Sequence, residues 1–297
     1  NTTGDRNCAF GFNALDDNTT ADFNTALGMN ALSANTTANY NAAVGYNSLG
    51  SNTTGTRNTA VGTFALEDNT TANNNTALGY NAGRDLTTGS ENTALGQASF
   101  ASSTTAASCV AVGYQAMFYN TDGGENTAVG KNALVNNTTA HHNTGVGYHS
   151  LHENTTGQFN TAVGSEALDA NTTADNNTAV GRVAMGSNTT GSNNSAFGRT
   201  SLNANTTGNY NTAVGMAALA LNTTASNNTG IGYQTLYSNT TGDTNTAVGT
   251  SALYANTTAS NNTAVGTSSL SNNTTGSENT GLGREALQKN TTASNNT

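Results

Sequence analysis

All four histidines of the chain, His141, His142, His149 and His152, fall in one short stretch, with Glu153 beside the last. Imidazole nitrogen is the commonest protein ligand for transition metals, so such a grouping raises metal chemistry first. Against it, each of the four occupies a place that varies freely elsewhere in the chain, and no other stretch repeats them. Solvated surface residues are the expectation, with no metal ligand set. The acidic pair Asp16-Asp17 and the run Thr121-Asp122-Gly123-Gly124-Glu125 could bind calcium. They lack the glycine-aspartate nonapeptide of calcium β-rolls, and turn chemistry accounts for them. Asn-Thr-Thr triplets beginning at Asn1, Asn18 and Asn35 are formal glycosylation acceptors. A catalytic centre needs a nucleophile, a base and an orienting group that converge. The scattered Asp, Glu and His give no such set, so the expectation is no catalytic residue, no cofactor and no enzyme.

What must position these residues is a tandem repeat. Asn1, Asn18, Asn35, Asn52 and Asn69 open successive units, then Leu86 and Ser103, then Asn again from Asn120 to Asn290. The spacing is 17 throughout, giving one array over residues 1–297 that ends in a partial unit at 290–297. Numbering each unit from its opening residue, position 2 is always Thr, position 4 Gly or Ala, and position 7 Asn except at Cys109. Position 9 is Ala or Gly, position 10 large and apolar, position 11 Gly, position 14 small and position 15 usually Leu. Charged residues gather at positions 5, 6, 12, 13, 16 and 17, with Asp122 as the exception. Constrained and charged places hardly overlap, which separates an inside from an outside.

Gly in every full unit, with Thr-Thr and Asn in nearly all of them, disfavours helix. Positions 8–11 and 14–15 read as short strands between turns. The unit therefore fits one coil of an all-β parallel β-solenoid of about 17 coils, stacked at about 4.8 Å. Gly at position 11 suits a positive φ or a crowded backbone site. Asn at positions 1 and 7 suits turn bonding, left-handed geometry and stacked amide ladders. Positions 10 and 15 are the expected interior pair, with Val129, Val163, Leu134 and Leu168 buried and Lys131, Arg182 and Glu166 exposed. By alternation, positions 9 and 11 then form a flat Ala/Gly face open to another chain. On that reading, Ala162→Arg and Ala128→Arg break assembly rather than the coil. The departures Gly83, Leu86, Phe100, Ser103 and Cys109 cluster in the sixth and seventh units or beside them, as a local irregularity.

Composition excludes other classes. Charged residues are 8% and the net charge is −9, without a basic run, so nucleic acid has no electrostatic foothold. The longest apolar stretch, residues 213–221, contains Gly215 and is far short of the roughly 20 residues of a membrane span. Cys8 and Cys109 stand six units apart, about 29 Å at strand spacing, so no bridge joins them. The chain opens in register with its repeat, as a processed chain or an excerpt would.

The string Asn-Thr-Ala-Val-Gly, at Asn126–Gly130, Asn160–Gly164 and Asn245–Gly249, resembles the head repeats of trimeric autotransporter adhesins. It is also similar to repeats of phage tail-fibre and bacterial surface proteins. That resemblance implies a parallel β-roll that associates with copies of itself on a cell or virion surface. The resulting expectation is a structural or adhesive extracellular filament and a homo-oligomer. Asn-Thr-Thr and the Thr ladders are the candidate places for glycans, although ladder packing explains the regularity of the triplets equally well. The alternative is an ice-binding solenoid whose Thr ladder, repeating at about 4.8 Å, orders water.

Overall fold

The structure, a computed structural model, describes residues 2–297. Seventeen three-residue strands run from β1 (Cys8–Phe10) to β17 (Thr280–Leu282), one per repeat. The chain falls into two compact units, Asn1–Val146 and Gly147–Thr297. Each is a parallel β-solenoid with one 17-residue repeat per coil. The first unit stacks β1 to β9 (Thr144–Val146) and the second stacks β10 (Thr161–Val163) to β17. No helix among the described residues is long and apolar enough to cross a membrane.

The register is strict because the period is. In β10 and β11 (Thr178–Val180), Thr161 lies opposite Thr178, Ala162 opposite Ala179 and Val163 opposite Val180. Thr178 donates its N–H to Asn194 O on the following coil, and Gly181 donates to Val163 O on the preceding one. A strand so short has few ladder bonds of its own. Side chains supply the rest, and three ladders recur. Asn188 Nδ2 donates to Asn171 Oδ1 at 3.1 Å and to Gly191 O at 2.9 Å, which joins coils at position 1 and closes the turn. Asn194 N donates to Asn177 Oδ1 at 3.0 Å while Asn177 Nδ2 donates to Gly191 O at 2.8 Å, which does the same at position 7. Thr189 Oγ1 donates to Thr206 O at 3.0 Å at position 2. These buried amides bond in both directions, so the polar interior is satisfied rather than costly.

The inside–outside assignment of the strand is the reverse of the sequence expectation. Ala162 at position 9 is 0% exposed, whereas Val163 at position 10 is 37% exposed and Val129 is half-buried. Leu134 and Leu168 are buried, Lys131 and Arg182 are exposed, and Glu166 is half-buried. The coil is too narrow for two large side chains to meet across it. Leu168 is fully buried, and Ala162, Ala167, Ala174, Asn171 and Asn177, buried along the same stretch, are all smaller than it. Ala at position 9 is small because it faces this crowd, not because a second chain approaches it. Among the described residues position 9 is buried from Ala26 onward, so Ala162→Arg strikes the coil itself.

Positions 14–15 form no strand. They lie in a turn that runs from Gly at position 11 to the next Asn, held by bonds such as Ala184 N–H to Gly181 O and Asn188 N–H to Met185 O. The left-handed residues of each coil are positions 6, 13 and 15, not the Asn of positions 1 and 7. Leu168 has φ 50 and Val183 has φ 57. For a bulky L-residue that conformation is an outlier, repeated down the stack and held by burial of the Leu side chain. A buried Leu contributes about 1.5–3 kcal/mol, enough to offset about 1–2 kcal/mol of left-handed strain.

The irregular units obey a packing rule. Gly83 stands where other coils place Leu, and a Cβ there would lie 3.0 Å from Leu66 Cδ2. The following coil carries the bulkier Phe100 at the same rung and Leu86 in place of Asn, both fully buried. The volume lost at Gly83 is thus returned by its neighbours. The exchange has a polar cost: Leu86 offers no donor, and Asn69 Oδ1 is buried without a partner. Phe100→Ala is expected to lower stability by about 3–5 kcal/mol, more than a Leu→Ala change in a regular coil, as read from urea unfolding. Cys109 is a free, buried thiol whose Sγ–H points at Gly123 O, 3.3 Å away, where a position 7 amide would donate. It has no amide oxygen to offer the next coil. Cys109→Asn is expected to raise stability by about 1 kcal/mol, visible as a higher melting temperature.

Candidate functional site

Two features of the outer surface stand apart from the repeating scaffold. The first is the outward side of the strands. With position 9 turned inward, positions 8 and 10 stand two apart on one side. Thr161, Thr178 and Thr212 form part of the position 8 row, half-buried, and Val163, Phe197, Val214, Ile231 and Val265 are exposed in the position 10 row. Met216 and Tyr233 at position 12 are exposed as well. The first unit repeats the pattern with Leu27, Leu78 and Leu95 beside Met29, Tyr80 and Tyr114. The outward Thr row is therefore at position 8, not at position 2 where the Thr ladder is expected from the sequence. The position 2 hydroxyls are spent on the coil-to-coil ladder.

The second feature is a histidine–carboxylate cluster in the Gly147–Thr297 unit. His152 and Asp169 both sit at position 16, on successive coils, and are therefore one strand spacing apart. His149, three residues before His152, lies beside them. The His149 and His152 rings stack at 4.2 Å with 9° between planes, and Tyr148 stacks on His149 at 4.0 Å. His152 Nδ1 lies 2.9 Å from Glu153 Oε1, and His149 Nδ1 lies 3.9 Å from Asp169 Oδ1. One nitrogen or oxygen from each of His149, His152 and Asp169 falls within 4.8 Å of the others. Burial pushes the Asp169 carboxyl up from its usual range, and His152 and His149 offset part of that shift. Glu153 was grouped with the histidines in the sequence, but Asp169 was not. The signal was the period itself, since adding one repeat to His152 reaches Asp169.

The other candidates stay separate. In the Asn1–Val146 unit, His141 Nδ1 accepts the Gly124 N–H at 2.9 Å and His142 Nδ1 lies 3.0 Å from Glu125 Oε2. Asp122 accepts the Thr105 hydroxyl at 2.6 Å, so the acidic turn is engaged in local bonds, while Asp16 and Asp17 are exposed. The Asn-Thr-Thr amides point inward: Asn18 and Asn35 are buried and bond to Ala21 O and Ala38 O, and Asn1 lies outside the described residues. Exposed acceptors occur instead at position 6, where Asn176 begins an Asn-Asn-Thr triplet. Cys8 is exposed and Cys109 buried, both as free thiols, and burial pushes the Cys109 thiol up to about 11, away from reactive thiolate chemistry.

No protein-family pattern matches this chain, and no curated protein is significantly similar to it in sequence.

Proposed function

We propose that this chain is a non-catalytic structural protein of an extracellular or surface filament, associating with copies of itself through the outward strand face. The observation that carries the reading is the ladder of exposed apolar side chains at position 10, from Val163 through Phe197 and Ile231 to Val265. Contiguous apolar surface of that kind marks an association site in a water-soluble protein. An identical face on a second copy repeats with the same coil spacing, so each Val or Leu meets a groove between two others. The adhesive role and the surface location rest on the resemblance of Asn-Thr-Ala-Val-Gly to adhesin and tail-fibre repeats. The ladder-bonded coil, whose charged side chains lie at outward positions, supports a spacer or fibre over an enzyme.

Ice binding is the second reading, favoured by one observation: Thr at position 8 and Val at position 10 stand two apart on a regular face. Negative-stain imaging of the purified chain separates the two. Paired or laterally bundled particles support the filament. Dispersed single particles, together with thermal hysteresis of the solution, support ice binding and reject the filament.

A further inference from the structure

We propose that His149, His152 and Asp169 form a binding site for one divalent transition-metal ion, Zn2+ being the reference case, that ties two successive coils together. The three residues come from positions 13 and 16 of one coil and position 16 of the next, and the fold brings one ligand atom of each to within 4.8 Å of the others. A tetrahedral ion with bonds of about 2.0–2.1 Å holds its ligand atoms about 3.4 Å apart, so the groups close by roughly an ångström on loading. Two imidazoles and a carboxylate are a donor set suited to zinc and its neighbours, and unsuited to calcium or magnesium, which take oxygen ligands.

Two independent observations favour a cation there. Asp169 Oδ1 is buried with no hydrogen-bond partner, which leaves an anionic oxygen short of a donor. Glu153 sits 2.9 Å from His152 Nδ1, the carboxylate–imidazole arrangement that fixes the tautomer of a metal-binding ring. The His149 and His152 rings are parallel and stacked. A metal lies in the plane of each ligating ring, so binding requires both rings to leave the stack by turning about χ2. Their side chains are partly exposed, at 24% and 21%, which leaves room for that turn. A water completes the fourth position on the open side.

Calorimetric titration of the full chain with ZnSO4, and separately with CaCl2, tests the site. The expected result is saturable binding of one Zn2+ per chain and no response to Ca2+. His152→Ala and Asp169→Ala should each weaken binding at least 10-fold, and Glu153→Gln should weaken it less than either. His142→Ala, at the other histidine pair, should leave it unchanged. Circular dichroism of each variant confirms that the coils persist, since all four side chains lie at the surface. Absence of saturable Zn2+ binding overturns the site. So does binding that survives the paired substitution of His149 and His152, or that is lost with His142→Ala.

Discussion

Gly164→Ala is expected to cost about 4 kcal/mol or more, enough to melt the coils around it. Gly164 has φ 138, a backbone conformation closed to L-side chains, and an added Cβ would sit 2.5 Å from Gly181 O and 2.7 Å from its carbonyl carbon. Both atoms belong to the next coil's backbone, which is locked in the ladder and has nowhere to go. The same contact recurs from coil to coil, as Gly181 meets Gly198 and Gly198 meets Gly215. Close stacking is therefore bought by glycine alone at this rung. Gly50→Ala is the matched control: φ there is ordinary, and the nearest atom to an added Cβ, Asn47 O, is 3.3 Å away. That change should move stability by less than about 1 kcal/mol in either direction. Urea unfolding followed by circular dichroism measures both, and equal effects would contradict the stacking geometry.

Ala162→Arg is the second large effect, and its partner Val163→Arg makes it diagnostic. Ala162 is 0% exposed and faces the buried stack of Leu side chains, so an arginine there places an unpaired charge in a dry, filled interior. The expected loss is about 3–5 kcal/mol, on the scale of an uncompensated buried charge, and local unfolding of the coil is the predicted outcome. Val163, its neighbour in β10, points outward, and Val163→Arg should change stability by about 0.5 kcal/mol or less. Thermal melts of the two variants decide the orientation of every strand at once, because the register repeats without a slip. A larger loss at Val163 than at Ala162 would invert the fold's inside and outside.

The sequence carried the period, the coil, the parallel register, the buried Leu at position 15 and the special backbone at position 11. Each of these follows from a residue that repeats for a local reason. It misled at position 10. A place that is always Val, Leu, Ile or Phe reads as core, but the rule that apolar residues go inside runs one way only. In a coil this narrow the stricter sign of burial is smallness, and Ala162, Ala167 and Ala174 carried it. The reading of positions 14–15 as strand failed because Leu168 is left-handed, which no propensity suggests for leucine. The irregular Gly83, Leu86 and Phe100 were visible as departures, yet their mutual compensation needs three-dimensional neighbours to be seen. Asp169 shows the converse case. Its distance from His152 is one repeat, so the cluster was present in the numbering once one coil per repeat was accepted.

Self-association through the strand face is the central claim, and sedimentation velocity of the purified chain tests it most directly. The wild-type chain should sediment as a concentration-dependent assembly at micromolar loading. The triple variant Val163→Lys, Val214→Lys and Ile231→Lys, which charges the exposed ladder and leaves the interior alone, should sediment as a monomer with an unchanged circular dichroism spectrum. A wild-type chain that remains monomeric across the concentration range, or an assembly that the three lysines leave intact, would contradict the account.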